Sequence, residues 1–73
     1  MIHPLINAKY MIDFSIPDYL DKDIKLLEKG IAENSTILDC LQDNLYGTVN
    51  IALINDRKIT EEQADIIRKR YYL

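Results

Sequence analysis

Seventy-three residues with twelve acidic and nine basic side chains, a net charge of −3, limit this chain to one small domain. With 48% hydrophobic and 29% charged residues, the composition excludes disorder throughout, and no apolar run nears the roughly 18 residues of a membrane span. Cys40 is the only cysteine, which excludes an internal disulfide, and no basic region followed by an apolar core marks a signal peptide, so a cytoplasmic location is expected. The charge is uneven. Residues 1–56 carry four lysines against nine acids, and residues 57–73 carry five basic side chains against three acids. An acidic body disfavours general nucleic-acid binding, which depends on many Lys and Arg for counterion release.

Residues 1–16 read as an N-terminal arm and residues 17–73 as a helical domain. Pro4 discourages regular structure near the start. From Lys9 to Ile16, Tyr10, Ile12, Phe14 and Ile16 alternate with Met11, Asp13 and Ser15, a strand-like pattern. With no convincing partner strand in the chain, an extended arm draped over the helices is the favoured reading. Helix 1 is predicted for Pro17–Ala32, with Pro17, Asp18 and Asp21 suiting its first turn. Its stripe is Ile16, Leu20, Ile24, Leu27 and Ile31. Gly30 either lies within this helix or caps its end.

Thr36 followed by Asp39 approximates a capping box for helix 2, which runs to about Asn55. Ile37, Leu38, Leu41, Leu45, Val49 and Ala52 form its broad apolar face. Cys40, Gly47, Ile51 and Ile54 form a second apolar strip, and Asp39, Asp43, Tyr46 and Asn50 a polar stripe. Gly47 costs a helix roughly 1 kcal/mol relative to Ala, so it either ends the helix or admits a neighbour's backbone. The first option gives a small α+β alternative in which residues 48–54 are a strand paired with residues 9–16. The in-phase series Leu41, Leu45, Val49 and Ala52 favours a continuous helix. Asn55–Lys58 is a turn. Helix 3 begins at Thr60, where Thr60 and Gln63 make a capping box, Ile59 and Ala64 a hydrophobic staple, and Arg68, Lys69 and Arg70 suit the last turn. Its inward stripe is Ala64, Ile67 and Tyr71.

No constellation supports catalysis, a metal or a cofactor. His3, the only histidine, sits beside Pro4 near the start, and a ligand or catalytic histidine must be held against other groups. Cys40 has Asp39 beside it and no neighbouring cation, so it reads as a small packed residue. Asp39 and Asp43 lie one helical turn apart but lack the further oxygen ligands that a hard cation demands. Placing Ile59 at position 8 of a calcium-binding loop leaves that loop without its acidic ligands and central glycine. Arg68-Lys69-Arg70 followed by Tyr71-Tyr72 mixes basic and aromatic residues, as nucleic-acid-binding segments do, but dipole matching alone accounts for the charges.

Leu38-Asp39-Cys40, Leu45-Tyr46-Gly47, Asn50 with Ala52, and Ile59-Thr60-Glu61-Glu62-Gln63-Ala64, closed by Ile67-Arg68 and Tyr71, form a pattern. Over residues 18–73 it resembles short uncharacterised helical proteins of phages and mobile elements in low-GC Gram-positive bacteria. The resemblance implies helices and a mobile-element setting, and supplies no activity or site residues. Plentiful Ile, Asn, Lys and Tyr, types encoded by AT-rich codons, point to the same low-GC source.

The expected architecture is therefore all-α: a three-helix domain with helix 2 central and an extended N-terminal arm. The expected function is that of a non-catalytic protein-interaction module, with modulation of a host protein by a phage or mobile element as its specific form. Cys40, Gly47, Ile51 and Ile54 are the expected interface, rimmed by Asp39, Asp43 and Tyr46. Its partner is a second copy of the chain or a host protein, with no cofactor and no membrane. The alternative is a dimeric DNA-binding transcriptional regulator in which helix 3 is the recognition helix and Arg57, Lys58, Arg68 and Arg70 contact phosphates.

Overall fold

The computed structural model describes residues 6–73, so His3 and Pro4 lie outside the described residues. The fold is all-α: three helices run in the order α1 (Asp18–Ala32), α2 (Leu38–Asn50) and α3 (Glu61–Tyr71), with α2 extended by a π-helical turn over Ile51–Asn55. No strand occurs among the described residues. Residues 48–54 are helical throughout, which removes the α+β alternative.

α1 begins after Pro17 and buries Leu20, Ile24, Leu27 and Ile31. Its end is a Schellman turn. Asn34 takes the left-handed conformation (φ 54°) and donates its N–H to Ile31 O (3.2 Å), while Ser35 N–H reaches Gly30 O (2.8 Å). Asn tolerates this region better than most L-residues. The cap is thus Asn34, and Gly30 lies inside the helix. There Gly30 has a packing role, because a Cβ on it would sit 2.6 Å from Leu41 Cδ1 on α2.

The Schellman turn uses Ser35, so α2 starts later than the expected capping box. Its N-cap is Ile37, without a side-chain cap bond. Ser35 Oγ accepts the Ile37 N–H instead (3.2 Å), and the Thr36–Asp39 box does not form. Starting at Leu38 also changes which side chains face inward. Leu38 and Leu41 pack against the core, whereas Ile37, expected on the inner face, is 55% exposed.

Leu45, Val49 and Ala52 are fully buried at the centre. The π turn closes with Asp56 N–H on Ile51 O (2.9 Å), and Lys58 N–H then reaches Ala52 O (2.7 Å). This wider turn brings both Ala52 and Leu53 against the core while Ile51 and Ile54 stay outside. Arg57, with φ 51°, reverses the chain into α3. α3 opens on the expected capping box: Thr60 Oγ1 accepts Gln63 N–H (3.2 Å) and Gln63 Oε1 accepts Thr60 N–H (3.0 Å). Ile59 and Ala64 are both buried beside it.

Residues 6–16 lie over the helices without regular structure, with a turn at residues 7–10 closed by Tyr10 N–H on Asn7 O (3.1 Å). The alternation of Tyr10–Ile16 persists without sheet pairing: Tyr10, Ile12, Phe14 and Ile16 are half-buried, and Met11, Asp13 and Ser15 exposed. Two hydrogen bonds tether the segment to the end of α3: Asn7 N–H to Arg70 O (2.6 Å) and an Arg70 guanidinium N–H to Tyr10 O (2.8 Å).

The two helical glycines give a test of this packing. Nothing lies within 4 Å of a Cβ at Gly47, so Gly47→Ala gains helix propensity without cost and should stabilise the fold by about 0.5–1 kcal/mol. Gly30→Ala gains the same propensity but displaces Leu41, and should fall at least about 0.5 kcal/mol below Gly47→Ala in urea unfolding. Equal stabilities would contradict the close α1–α2 approach at Gly30.

Candidate functional site

The burial pattern divides α2 into two apolar faces. The inner face, Leu45, Val49 and Ala52, is sealed by the rest of the chain. The outer face is open. Ile54 is 64% exposed and Ile51 45%. Cys40 is exposed, Gly47 is exposed, and no described residue covers this strip. The close neighbour expected at Gly47 is not found among the described residues.

Two residues join the strip that the sequence reading did not place there. Ile37 is exposed at one end, and Asn44 is exposed at the centre. The face then reads Ile37, Cys40, Asn44, Gly47, Ile51, Ile54, a 3-4-3-4-3 spacing. From Cys40 to Ile51 this is the a/d spacing of a coiled-coil seam, and Ile37, the N-cap, and Ile54, in the π turn, extend the apolar face at its ends. The spacing itself is the available signal, obscured in the sequence because the helical wheel places Ile37 with the inner face and because Asn44 is polar.

One flank of this face carries the expected rim. Asp39 and Asp43 are exposed, and Tyr46 is 46% exposed. Arg68 of α3 reaches this flank, with its guanidinium carbon 5.7 Å from the Tyr46 ring centroid. It donates to Asn50 Oδ1 (2.7 Å) and pairs weakly with Asp65 (3.4 Å). Asn50 is therefore a half-buried partner of Arg68.

The four basic residues of the nucleic-acid alternative do not act as one open patch. Arg57 and Lys58 are exposed in the turn before α3. Arg68 is held against Asn50 and Tyr46, and Arg70 against Tyr10 O and the Tyr71 hydroxyl (Nε to Oη, 3.2 Å).

A cleft lies between the arm and the helices. This cleft of about 270 Å³ is lined by Met11, Ile12, Ile16, Ile24, Glu28 and Tyr71, among others. Tyr71 is 1% exposed and donates its hydroxyl proton to Glu28 Oε2 (2.8 Å). Burial pushes its pKa up to about 12; the Arg70 hydrogen bond opposes that rise and the Glu28 hydrogen bond adds to it. These partners join α1, α3 and the arm, which gives the network a structural role. A polar bond on another side, Tyr19 hydroxyl to Asp56 (2.6 Å), ties α1 to the end of the π turn and pushes the Tyr19 pKa up to about 12.

Among the described residues no group of His, Cys, Asp and Glu is arranged to hold a metal ion, and no helix is long and apolar enough to cross a membrane. Comparison with protein-family models, with curated proteins and with solved structures finds no match for this chain.

The raised tyrosine pKa values predict alkaline instability. The folded state holds these protons more tightly than the unfolded state, whose tyrosines titrate near 10. The stabilisation is therefore full below about pH 10 and is lost as pH rises towards about 12. Urea unfolding at pH 9, 10 and 11 should show falling stability in the wild type. Tyr71→Phe should flatten that fall by roughly 1–2 kcal/mol; an unchanged slope would contradict the Tyr71 assignment.

Proposed function

We propose that this chain is a non-catalytic protein-interaction module whose docking face is the outer side of α2. The observation that carries the reading is the 3-4-3-4-3 face from Ile37 to Ile54, left open while the opposite side of the same helix is sealed. A helix with one buried face satisfies the fold. A second apolar face gains nothing for the isolated chain and becomes favourable only when another surface removes it from water.

The flank supplies specificity. Asp39, Asp43 and Tyr46 rim the apolar strip, an arrangement of apolar centre and polar edge that suits a protein partner. The biological setting we propose is a phage or mobile element of a low-GC Gram-positive bacterium, in which the chain modulates a host protein; the sequence resemblance and residue usage support it. The DNA-binding alternative is the weaker one. Arg68 and Arg70 would have to leave the internal contacts they make before serving phosphates, and the body of the chain is acidic.

A photo-reactive side chain at Ile54 tests the reading, with one at Lys22 on the exposed side of α1 as control. A discrete covalent adduct from position 54 alone is expected in cells of such a host. Ile51→Asp should abolish the adduct formed from position 54 and lower folding stability by only about 1 kcal/mol, because Ile51 is already half exposed, leaving a folded chain by circular dichroism. No adduct at Ile54, or an adduct indifferent to Ile51→Asp, overturns the docking face. Duplex DNA retained at low salt would favour the regulator instead.

A further inference from the structure

Resting on the docking-face reading, we infer that the occupant of the α2 outer face is a second copy of this chain, packed antiparallel about a two-fold axis between Asn44 and Gly47. A two-fold interface must be self-complementary, and this face is. Its spacing reads the same in both directions: Cys40 pairs with the partner's Ile51 and Asn44 with its Gly47, and the isoleucines at positions 37 (the N-cap) and 54 (in the π turn) lie beyond these layers at the two ends.

The choice of residues favours antiparallel over parallel packing. In a parallel pair Gly47 meets Gly47, leaving a void in the seam, and Asn44 meets Asn44. In the antiparallel pair the partner's Asn44 fills the space above Gly47, where nothing lies within 4 Å of a Cβ position. A Gly in that layer lets the helices approach closely, and Cys40 opposite Ile51 again sets a small residue against a large one.

Charge agrees with the same orientation. About this axis like flanks face each other, so the exposed Asp39 and Asp43 come beside the flank where the partner's Arg68, paired with its Asp65, lies against its Asn50 and Tyr46. Parallel packing sets that flank against the Thr48 side instead and loses this complementarity.

The area sets the strength. Helical residues 38–54 run about 25 Å, and with Ile37, Tyr46, Ile51 and Ile54 all substantially exposed the pair covers on the order of 1,000 Å² in total. That lies at the lower edge for a specific complex, so the dimer is expected to dissociate on dilution in the micromolar range.

Disulfide trapping reads the register directly. In the antiparallel pair the two Cys40 residues sit about 16 Å apart along the helix axes, too far to bridge. Position 51 of one copy lies opposite Cys40 of the other. Under mild oxidation Ile51→Cys should therefore form covalent dimer at least about tenfold faster than wild type, linked 40-to-51 in peptide maps. Ile51→Cys combined with Cys40→Ser should fall back to the wild-type rate. Position 51 is exposed, and far-UV circular dichroism checks that the variants fold.

Equal trapping by wild type, or 40-to-40 linkage, overturns the antiparallel register. Sedimentation as a monomer at every concentration up to about 1 mM overturns the dimer altogether. The docking-face reading fails separately, when the Ile54 photo-adduct is missing or is indifferent to Ile51→Asp; an Ile51-dependent adduct with a different protein from a chain that sediments as a monomer removes the second copy alone.

Discussion

Leu45, Val49 and Ala52 are fully buried because α1 and α3 both pack against the same side of α2. The rest of the structure depends on that sharing. α1 contributes Leu20, Ile24, Leu27 and Ile31, and α3 contributes Ala64, Ile67 and Tyr71. Two short helices without a common third would leave most of this surface wet, and a chain this small has little apolar area to spare. α2 therefore acts as the wall of the core, and the wall has an outer side. Once α1 and α3 share the inner face, no helix remains to cover Ile51 and Ile54.

Polar contacts fix the covering pieces in place. The Thr48 hydroxyl donates to Asp23 between α2 and α1, and Tyr71 to Glu28 between α3 and α1. Arg70 holds the N-terminal segment through Tyr10 O. These bonds set how the helices and arm sit over the core, while the apolar contacts supply most of the driving force. They also draw basic side chains of α3 into the fold. The basic end that stands out in the sequence is thus partly consumed by structure, since Arg68 and Arg70 have partners before any ligand arrives.

Much of this was legible in the residues. Helical spacing located all three helices, and the Thr60–Gln63 capping box fixed the start of α3 because both of its bonds are local. The phase of Leu41, Leu45, Val49 and Ala52 across Gly47 predicted a continuous helix, and residues 38–55 are helical throughout. The start of α2 was misplaced because the turn before it is set by the end of α1. Asn34 in the left-handed region draws Ser35 into α1's cap, and a pattern search around Thr36 does not contain that competition. The exposed side of α2 was half legible. Cys40, Gly47, Ile51 and Ile54 stood out as apolar, whereas Ile37 and Asn44 join them only once the first turn of the helix is known. The strand-like alternation of residues 10–16 was genuine as a burial pattern but did not imply a sheet, because helices can cover one side of an extended segment as well as another strand can.

The claim on which the account turns is that the outer face of α2 is unused by the fold and packs on a second copy of the chain. Isoleucine methyl NMR over a dilution series tests it most directly, since Ile37, Ile51 and Ile54 report on the outer face while Ile24, Ile31, Ile59 and Ile67 report on the core. The account predicts concentration-dependent shifts confined to the first group, with the core methyls unmoved. Shifts spread over both groups, or none at any concentration, would contradict it.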